Sequence, residues 1–294
     1  MEVLSSGAAL RRAANEQCLQ VPGAPNALSA KLIERYGFEA MYLSGAAFSA
    51  GDLALPDLGL FTLTELVEQA KRLTAAANIP LIVDADTGFG DVVNVERTVF
   101  ELESAGAAAI QFEDQQLPKR CGHLSGKTLI ETQAMCAKIR AAANARGDDD
   151  LVIIARTDAR GVDGMEEALR RAASYVEAGA DWVFPEALRT EDEFALFANQ
   201  ISVPLLANMT EFGKSPLLDL RVLQSMGYAA VLYPVTLLRV AMRAMEAALA
   251  MLSGDGHQRE LLDLMQTRED LYDLLEYEEY EQRDREYFDH NRTV

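Results

Sequence analysis

Residues 81–113 read LIVDADTGFGDVVNVERTVFELESAGAAAIQFE, and this stretch contains two apolar runs separated by a helical pattern. The runs cover 81–86 and 107–113, and they have the length and the Val, Ile, Leu and Ala content of buried strands. Gly106 lies where a helix would end, because glycine readily takes the left-handed conformation that turns the chain into a strand. The order of strand, helix and strand predicts two parallel neighbours in one sheet.

The same rhythm continues along the chain and predicts eight strands. Eight strands that alternate with helices predict an α/β fold, a closed (β/α)8 barrel of the TIM type. We expect a single barrel domain over residues 1–294, in which residues 240–294 form a C-terminal helical extension. The predicted strands are Leu19–Gly23, Met41–Ser44, Leu81–Asp86, Ala107–Glu113, Leu151–Thr157, Trp182–Glu186, Val203–Asn208 and Ala229–Tyr233.

Composition excludes several classes of partner. The formal net charge of −19 argues against nucleic acids and anionic membranes, which need surplus Lys and Arg. No apolar run approaches the length of a membrane span, and the first residues do not resemble a signal peptide, so we expect a cytoplasmic protein. Three cysteines and three histidines are too few and too scattered for a disulfide framework or a multi-histidine metal site.

Polar residues follow several predicted strands, and in a barrel these strand ends meet on one face. Asp84 and Asp86 are two positions apart, so on a strand both side chains point to the same face. Together with Glu113 they suit Mg²⁺, which prefers oxygen ligands and retains several waters. The alternative, that these acids only cap strand ends, remains open at this point.

The loop sequence Lys-Arg-Cys-Gly-His at 119–123 follows one of these strands. Cations near a thiol lower its pKa, so Lys119, Arg120 and His123 would activate Cys121 for proton transfer. The alternative is an inert, apolar cysteine beside a solvated charge pair.

Three arginines, Arg156, Arg239 and Arg268, are candidates for binding carboxylates, because a guanidinium group can form two charge-assisted hydrogen bonds at once. Each alone is also compatible with an ordinary surface cation. Further oxygens could be oriented by Ser44, the backbone around Gly45, Asn208 and Thr210.

The chain resembles the isocitrate lyase and phosphoenolpyruvate mutase superfamily, and within it the 2-methylisocitrate lyases. The matching segments span nearly the whole chain in order. They are Tyr-Leu-Ser-Gly at 42–45, Leu-Pro-Asp-Leu-Gly at 55–59, Val-Asp-Ala-Asp-Thr-Gly-Phe-Gly at 83–90, Glu-Asp-Gln at 113–115, Lys-Arg-Cys-Gly-His at 119–123, Ala-Arg-Thr-Asp at 155–158, Phe-Pro-Glu-Ala at 184–187, Asn-Met-Thr-Glu-Phe-Gly at 208–213, Leu-Tyr-Pro at 232–234 and Met-Gln-Thr-Arg at 265–268.

The resemblance implies a barrel whose last helix is exchanged between subunits of a homotetramer. It implies Mg²⁺, with Mn²⁺ as an alternative, held by Asp84 and Asp86 and, through bound water, by Glu113. It also implies a small 2-hydroxy tricarboxylate or dicarboxylate as substrate. The implied substrate contacts are Ser44, Gly45, Ala46, Asp57, Cys121, Gly122, Arg156, Glu186, Asn208, Thr210, Arg239 and Arg268, with Phe184, Leu232 and Pro234 leaving room for a methyl group.

The implied activity is cleavage of 2-methylisocitrate to pyruvate and succinate, a step of propionate breakdown by the methylcitrate cycle. In this retro-Claisen type of reaction Cys121 is the general acid, and Lys119, Arg120 and His123 stabilise the thiolate that it leaves. The base that takes the hydroxyl proton stays open between Tyr42, Glu113 and a metal-bound water.

Two departures from the family pattern concern the substrate. Ala46 stands where many methylisocitrate lyases have glycine, and the loop continues as His-Leu-Ser-Gly-Lys at 123–127. Similar loops occur in relatives that cleave 2,3-dimethylmalate or hydrolyse oxaloacetate, so these activities are the alternatives within the family. A barrel that binds a dicarboxylate without catalysis is the alternative from another class.

Overall fold

The structure is a computed structural model that describes residues 4–290. Its eight strands are all parallel to their neighbours and run in chain order. Backbone bridges between Gly23 and Tyr42 and between Val183 and Leu205 join the two groups of strands into a closed ring. The predicted barrel is confirmed. The strands are β1 (Leu19–Pro22), β2 (Met41–Leu43), β3 (Leu81–Asp84), β4 (Ala109–Glu113), β5 (Val152–Thr157), β6 (Trp182–Pro185), β7 (Leu206–Asn208) and β8 (Ala230–Tyr233).

All eight strands are one to three residues shorter than predicted, and in two of them the backbone gives the reason. The strand β3 ends at Asp84 because Asp86 has a positive φ of 49°, which no regular strand contains. The strand β7 begins at Leu206 because Pro204, in the predicted first half, has no N–H to donate to a neighbour.

Helices cover the outside of the barrel. A helix of 14 residues, α4, begins at a capping box in which Thr62 and Glu65 satisfy each other's backbone N–H groups. The helices are α1 (Ser6–Glu16), α2 (Ala27–Arg35), α3 (Gly45–Gly51), α4 (Leu63–Ala76), α5 (Val92–Ser104), α6 (Thr132–Ala145), α7 (Ala159–Val162), α8 (Met165–Glu177), α9 (Glu191–Gln200), α10 (Leu220–Met226), α11 (Thr236–Asp255), α12 (Arg268–Leu274) and α13 (Tyr277–His290), with a 3-10 helix at Arg259–Leu264.

The core has one apolar cluster inside the barrel and two between the strands and the helices. The inner cluster includes Ile154, Trp182 and Leu206, and Leu10 of α1 packs against it. Arg11 binds Asp181, the residue before β6, at 2.8 Å, which holds α1 against the N-terminal ends of the strands. The opposite end of the barrel, where the strands finish, is therefore the end available for a site.

The chain divides into two compact units, Met1–Arg239 and Val240–Val294. The first contains all eight strands, and the second contains most of α11 and the later helices. Within residues 4–290, no helix is long and apolar enough to cross a membrane. The assignment of residues 1–294 to one domain stays a prediction, and 1–3 and 291–294 lie outside the described residues.

Candidate active site

The C-terminal ends of the strands surround a cavity of about 80 Å³. Most of the predicted site residues line it. A larger cleft of about 640 Å³, in the second unit, is lined by acidic and tyrosine side chains and holds none of the predicted site residues. The smaller cavity is lined by Tyr42, Ser44, Ala46, Asp57, Asp84, Lys119, Cys121, Gly122, His123, Arg156, Phe184, Glu186, Asn208, Thr210, Leu232, Pro234, Val235 and Arg239.

Asp84 is oriented by three donors at the end of β3. Its Oδ1 accepts from the Gln111 side chain and from the backbone N–H of Asp86, each at 3.2 Å, and its Oδ2 accepts from the Gly45 N–H at 3.2 Å. Gly45 is the first residue of α3, so its place beside Asp84 follows from the helix that starts directly after β2.

Asp86 and Glu113 differ from Asp84, because within residues 4–290 Oδ2 of Asp86 and both oxygens of Glu113 are buried and accept no hydrogen bond, while Oδ1 of Asp86 lies beside the Lys119 ammonium group. Asp86 forms an ion pair with Lys119 at 2.5 Å, and Glu113 lies 3.4 Å from the guanidinium group of Arg156. Burial raises the pKa of Asp86 to about 7 and that of Glu113 well above its usual range, while Lys119 and Arg156 respectively oppose these shifts. Buried oxygens without donors are suitable ligands for a hard divalent cation, so these residues fit Mg²⁺.

The fit is to an ion with few direct protein ligands. No cluster of three or more His, Cys, Asp or Glu side chains in residues 4–290 is arranged to coordinate a metal by itself. Asp84 and Asp86 would therefore act as a pair, with the remaining positions left for water and substrate, as is usual for Mg²⁺.

The thiol of Cys121 has its pKa raised, and this corrects the expectation that nearby cations lower it. Burial is the main cause, the backbone N–H of His123 opposes it, and the carboxylates of Asp57 and Glu186 raise the pKa further. Cys121 is therefore held as a thiol, the form that a general acid needs.

The expected cations do not act on the sulfur as the loop sequence suggested. Lys119 forms ion pairs with Asp57 and Asp86, and these carboxylates neutralise its charge. Arg120 is directed away, toward the carbonyl of Ser125 at 3.3 Å.

His123 is not a third cation. Its Nδ1 accepts a hydrogen bond from the backbone N–H of Lys214 at 2.9 Å, so this nitrogen carries no proton and the ring is neutral. Its Nε2 lies 3.1 Å from Oε1 of Glu186. His123 thereby joins the loop at 119–127, which we call the Cys121 loop, to the end of β6 and to the loop after β7.

Arg156 and Glu186 form an ion pair in the lining of the cavity, with 3.1 Å between Nη2 and Oε2. Burial raises the pKa of Glu186, but Arg156 and His123 lower it by more. The pKa of this carboxyl is therefore well below that of an ordinary glutamate, and the group is ionised. Asn208 Nδ2 lies 3.3 Å from the same carboxylate, and the Arg156 guanidinium lies over the ring of Phe184 at 5.2 Å. Within 4–290 the Nη1 group of Arg156 donates no hydrogen bond, which leaves it for an anionic ligand.

Tyr42 and Gln111 form a buried pair inside the barrel. The Tyr42 hydroxyl donates to Gln111 at 2.9 Å, and burial, followed by the charge of Asp84, raises the Tyr42 pKa well above its usual range. This disfavours Tyr42 as the base. Gln111 was absent from the sequence prediction, although its position two residues before Glu113 indicated that both side chains point into the barrel.

The remaining predicted residues have simpler contacts. Ser44 Oγ accepts from the N–H of Ala47 as the N-cap of α3, and the Thr210 N–H donates to Asn208 at 3.1 Å. Arg239 binds the Glu211 side chain at 3.0 Å. Arg268 belongs to the second unit, as the first residue of α12, and is not among the described residues that line the cavity.

Comparison with known proteins gives consistent matches over most of the chain. A family model described as phosphoenolpyruvate phosphomutase matches residues 9–253. A curated 2-methylisocitrate lyase from Aeropyrum pernix is 54% identical over 265 residues, which cover 90% of this chain and 85% of that protein. A crystal structure of 2,3-dimethylmalate lyase matches with a TM-score of 0.90 and 33% identity, covering 97% of this chain and 96% of the other. A phosphonopyruvate hydrolase in complex with oxalate and Mg²⁺ matches with a TM-score of 0.88 and 32% identity, covering 97% and 100%.

Proposed function

Because this chain belongs to the phosphoenolpyruvate phosphomutase family, we propose that it is a Mg²⁺-dependent lyase that cleaves 2-methylisocitrate to pyruvate and succinate. The observation that carries the chemistry is a half-buried thiol, Cys121, which lines the same cavity as Asp84 and whose pKa is raised by burial. The 54% identity to a 2-methylisocitrate lyase favours this substrate over that of the 2,3-dimethylmalate lyase, at 33%. The reaction belongs to propionate breakdown by the methylcitrate cycle.

The metal is proposed to lie at Asp84 and Asp86, with Glu113 contributing through a bound water. When bound, Mg²⁺ lowers the pKa of the substrate's 2-hydroxyl group and stabilises the negative charge that develops there. Oδ2 of Asp86 and both oxygens of Glu113, which accept no hydrogen bond within 4–290, support this assignment. Mn²⁺, which also accepts oxygen ligands, is the alternative ion.

The proton transfers are assigned to two residues of the chain. Glu113 is proposed to take the proton of the 2-hydroxyl group, because neither of its buried carboxylate oxygens accepts a hydrogen bond from residues 4–290. The O–H electron pair becomes the second bond of the pyruvate carbonyl group, and the electrons of the broken carbon–carbon bond remain on the succinate carbon. Cys121 Sγ then gives its proton to that carbon, which is far more basic than a thiolate.

Substrate carboxylates are proposed to bind Arg156 through its free Nη1 group, together with Arg239 and Arg268. Ser44, Gly45, Ala46, Asp57, Gly122, Glu186, Asn208 and Thr210 complete the polar contacts. Phe184, Leu232 and Pro234 are proposed to accommodate the methyl group, a contribution worth about 1 to 3 kcal/mol in an apolar pocket.

A panel of substrates tests the proposal. The purified protein, with Mg²⁺, is given 2-methylisocitrate, isocitrate, 2,3-dimethylmalate and oxaloacetate, and the products are identified by mass spectrometry. We expect pyruvate and succinate from 2-methylisocitrate at the highest kcat/KM. A higher kcat/KM with dimethylmalate or oxaloacetate would transfer the assignment to that activity, and binding without turnover of any compound would favour a non-catalytic barrel.

The protein is further proposed to form a homotetramer in which the last helix is exchanged between subunits, so that Arg268 acts in a neighbouring site. None of the 20 residues of α11 is buried within the described chain, which leaves its apolar side chains available for a partner. Mixing inactive Arg268→Ala protein with inactive Cys121→Ser protein tests the exchange. After subunits re-equilibrate, hybrid sites with both residues intact should restore part of the activity, whereas no recovery in demonstrably mixed tetramers would contradict the exchange.

A further inference from the structure

Lys127 is a buried cation that has no part in the proton transfers proposed above. Its side chain is 1% exposed, and its ammonium group donates to the carbonyl of Gly122 and, at 2.6 Å, to Oδ1 of Asp158. Gly122 directly follows Cys121, so this contact lies one residue from the thiol.

Asp158 is itself firmly held. It accepts from Nε of Arg156 at 3.0 Å, and its backbone N–H donates to Asp114 at 2.9 Å. Asp114 in turn accepts from the hydroxyl groups of Thr157 and Tyr175, both at 2.8 Å, and Tyr175 belongs to α8. Lys127 therefore links the Cys121 loop to an anchor that extends through β5 to the outer helix.

The backbone of Gly122 lies directly against side chains of the cavity. A Cβ atom at this residue would lie 2.5 Å from Nη2 of Arg156 and 2.5 Å from Oε2 of Glu186. The loop thus approaches the cavity as closely as a backbone can, and such an approach must be maintained by an attraction. The contact of the Gly122 carbonyl with Lys127 provides one.

We propose that Lys127 is a positioning residue that keeps the Cys121 loop closed over the cavity by joining the Gly122 carbonyl to Asp158. The inference rests on the proposed function only in that Cys121 is the acid whose place matters. Without the ammonium group, the loop opens more often, the thiol becomes more accessible and fewer bound substrates meet it.

Two substitutions test this, with a matched control. Lys127→Met removes the charge and the donors at similar length, and Lys127→Gln keeps a neutral donor. The control is Arg146→Met, because Arg146 makes the same pair of contacts near the other ends of the strands, to the Leu151 carbonyl at 2.9 Å and to Asp181 at 2.7 Å.

The readout is the alkylation rate of Cys121 by iodoacetamide across a range of pH, with the labelled peptide identified by mass spectrometry. We expect Lys127→Met to be alkylated roughly 10-fold to 100-fold faster than the wild type, the equivalent of one lost charge-assisted hydrogen bond. The midpoint of the pH profile should stay above that of an ordinary cysteine, because the closed state, in which burial raises the thiol pKa, still predominates in the variant. Lys127→Gln should fall between the two, and kcat should decrease in the order wild type, Gln, Met.

Alkylation of both Lys127 variants at the wild-type rate would overturn the proposal, as would an equal acceleration in Arg146→Met, which would indicate general loosening. If Lys127→Met does not fold, as judged by circular dichroism, Lys127→Gln decides the question alone. Mg²⁺ binding, followed by thermal shift, should be unchanged in folded Lys127 variants. The alkylation result stands even if the wild type does not cleave 2-methylisocitrate, so failure of the proposed function is recognised separately.

Discussion

The Cys121 thiol lies among groups that favour its protonated form. Burial and the carboxylates of Asp57 and Glu186 raise its pKa. The nearby cation Lys119 forms ion pairs with Asp57 and Asp86, so its charge is already neutralised. A nucleophilic cysteine needs the opposite setting, in which cations stabilise the thiolate. At the scale of the residue, the environment therefore supports a proton donor.

Cys121→Ser is expected to lower kcat by about 100-fold to 10,000-fold, the usual contribution of a general acid, because a serine hydroxyl is a much weaker acid. Mg²⁺ and succinate binding should be retained. Steady-state kinetics with a coupled pyruvate assay measure the effect. Cys136→Ser, in a buried cysteine of α6, is the control and should keep near-normal turnover; normal turnover in Cys121→Ser would reject the assigned acid.

The raised pKa of Cys121 predicts a pH dependence for its alkylation in the ligand-free protein. Only the thiolate reacts, so the rate should increase with pH through a midpoint above that of an ordinary cysteine, about 8.5. Stopped-time labelling with iodoacetamide at several pH values measures it, with glutathione as reference thiol. A midpoint below that of glutathione would indicate an activated thiolate.

At the scale of the element, the first turn of α3 determines the space beside the proposed metal ligands. A Cβ atom on Gly45 would lie 3.1 Å from Oδ1 of Asp86 and 3.3 Å from Oδ2 of Asp84. Both distances are shorter than ordinary carbon–oxygen contacts, so the two carboxylates would have to shift by a few tenths of an ångström beside a larger residue.

Gly45→Ala should therefore weaken Mg²⁺ binding, by roughly 10-fold or more if the clash costs the 1 to 3 kcal/mol typical of overpacking. Isothermal titration calorimetry measures the affinity. Gly51→Ala is the control in the same helix, since its Cβ would meet only the Leu238 side chain at 3.4 Å and above. Equal Mg²⁺ affinity in both variants would contradict this role of α3.

The Cys121 loop is the second element whose geometry carries function. Gly122→Ala should prevent closure because of the 2.5 Å approach to Arg156 and Glu186, so kcat should fall and Cys121 alkylation should accelerate. Ser125→Ala changes an exposed residue of the same loop and is the control. Kinetics and labelling both at wild-type levels in Gly122→Ala would show that the loop need not approach so closely.

At the scale of the whole molecule, the exposed apolar residues of α11 predict an oligomer. Val240, Met245 and Leu249 are each more than half exposed, which is costly for a helix that stays in water. Analytical ultracentrifugation should give about four times the chain mass of 32.2 kDa, the tetramer of the proposed assembly. Leu249→Glu should shift the protein toward smaller species, whereas Glu246→Gln should not; a wild-type monomer would contradict the proposal.

The sequence predicted much of the fold because the relevant signals are local. Strand β4 ends at Glu113 as predicted. The i, i+2 spacing predicted that Asp84 and Asp86 point to one face of a regular strand, but β3 ends at Asp84 and Asp86 follows it with a positive φ. The contacts of the site were less accessible to prediction. Gln111 meets Tyr42 across 69 positions, and His123 meets Lys214 across 91, and no local pattern encodes such pairs.

The sequence by itself determined the parallel barrel and the face on which its polar residues meet, since periodicity and turn chemistry act within a few residues. Only the tertiary structure decided the chemical state of that face. It directed Arg120 outward, left His123 neutral, paired Lys119 with Asp86 and half-buried Cys121. A loop whose sequence predicted an activated thiolate therefore holds a thiol with a raised pKa. The physical reason is that a pKa depends on desolvation and on every charge within several ångströms, and these neighbours come from distant parts of the chain.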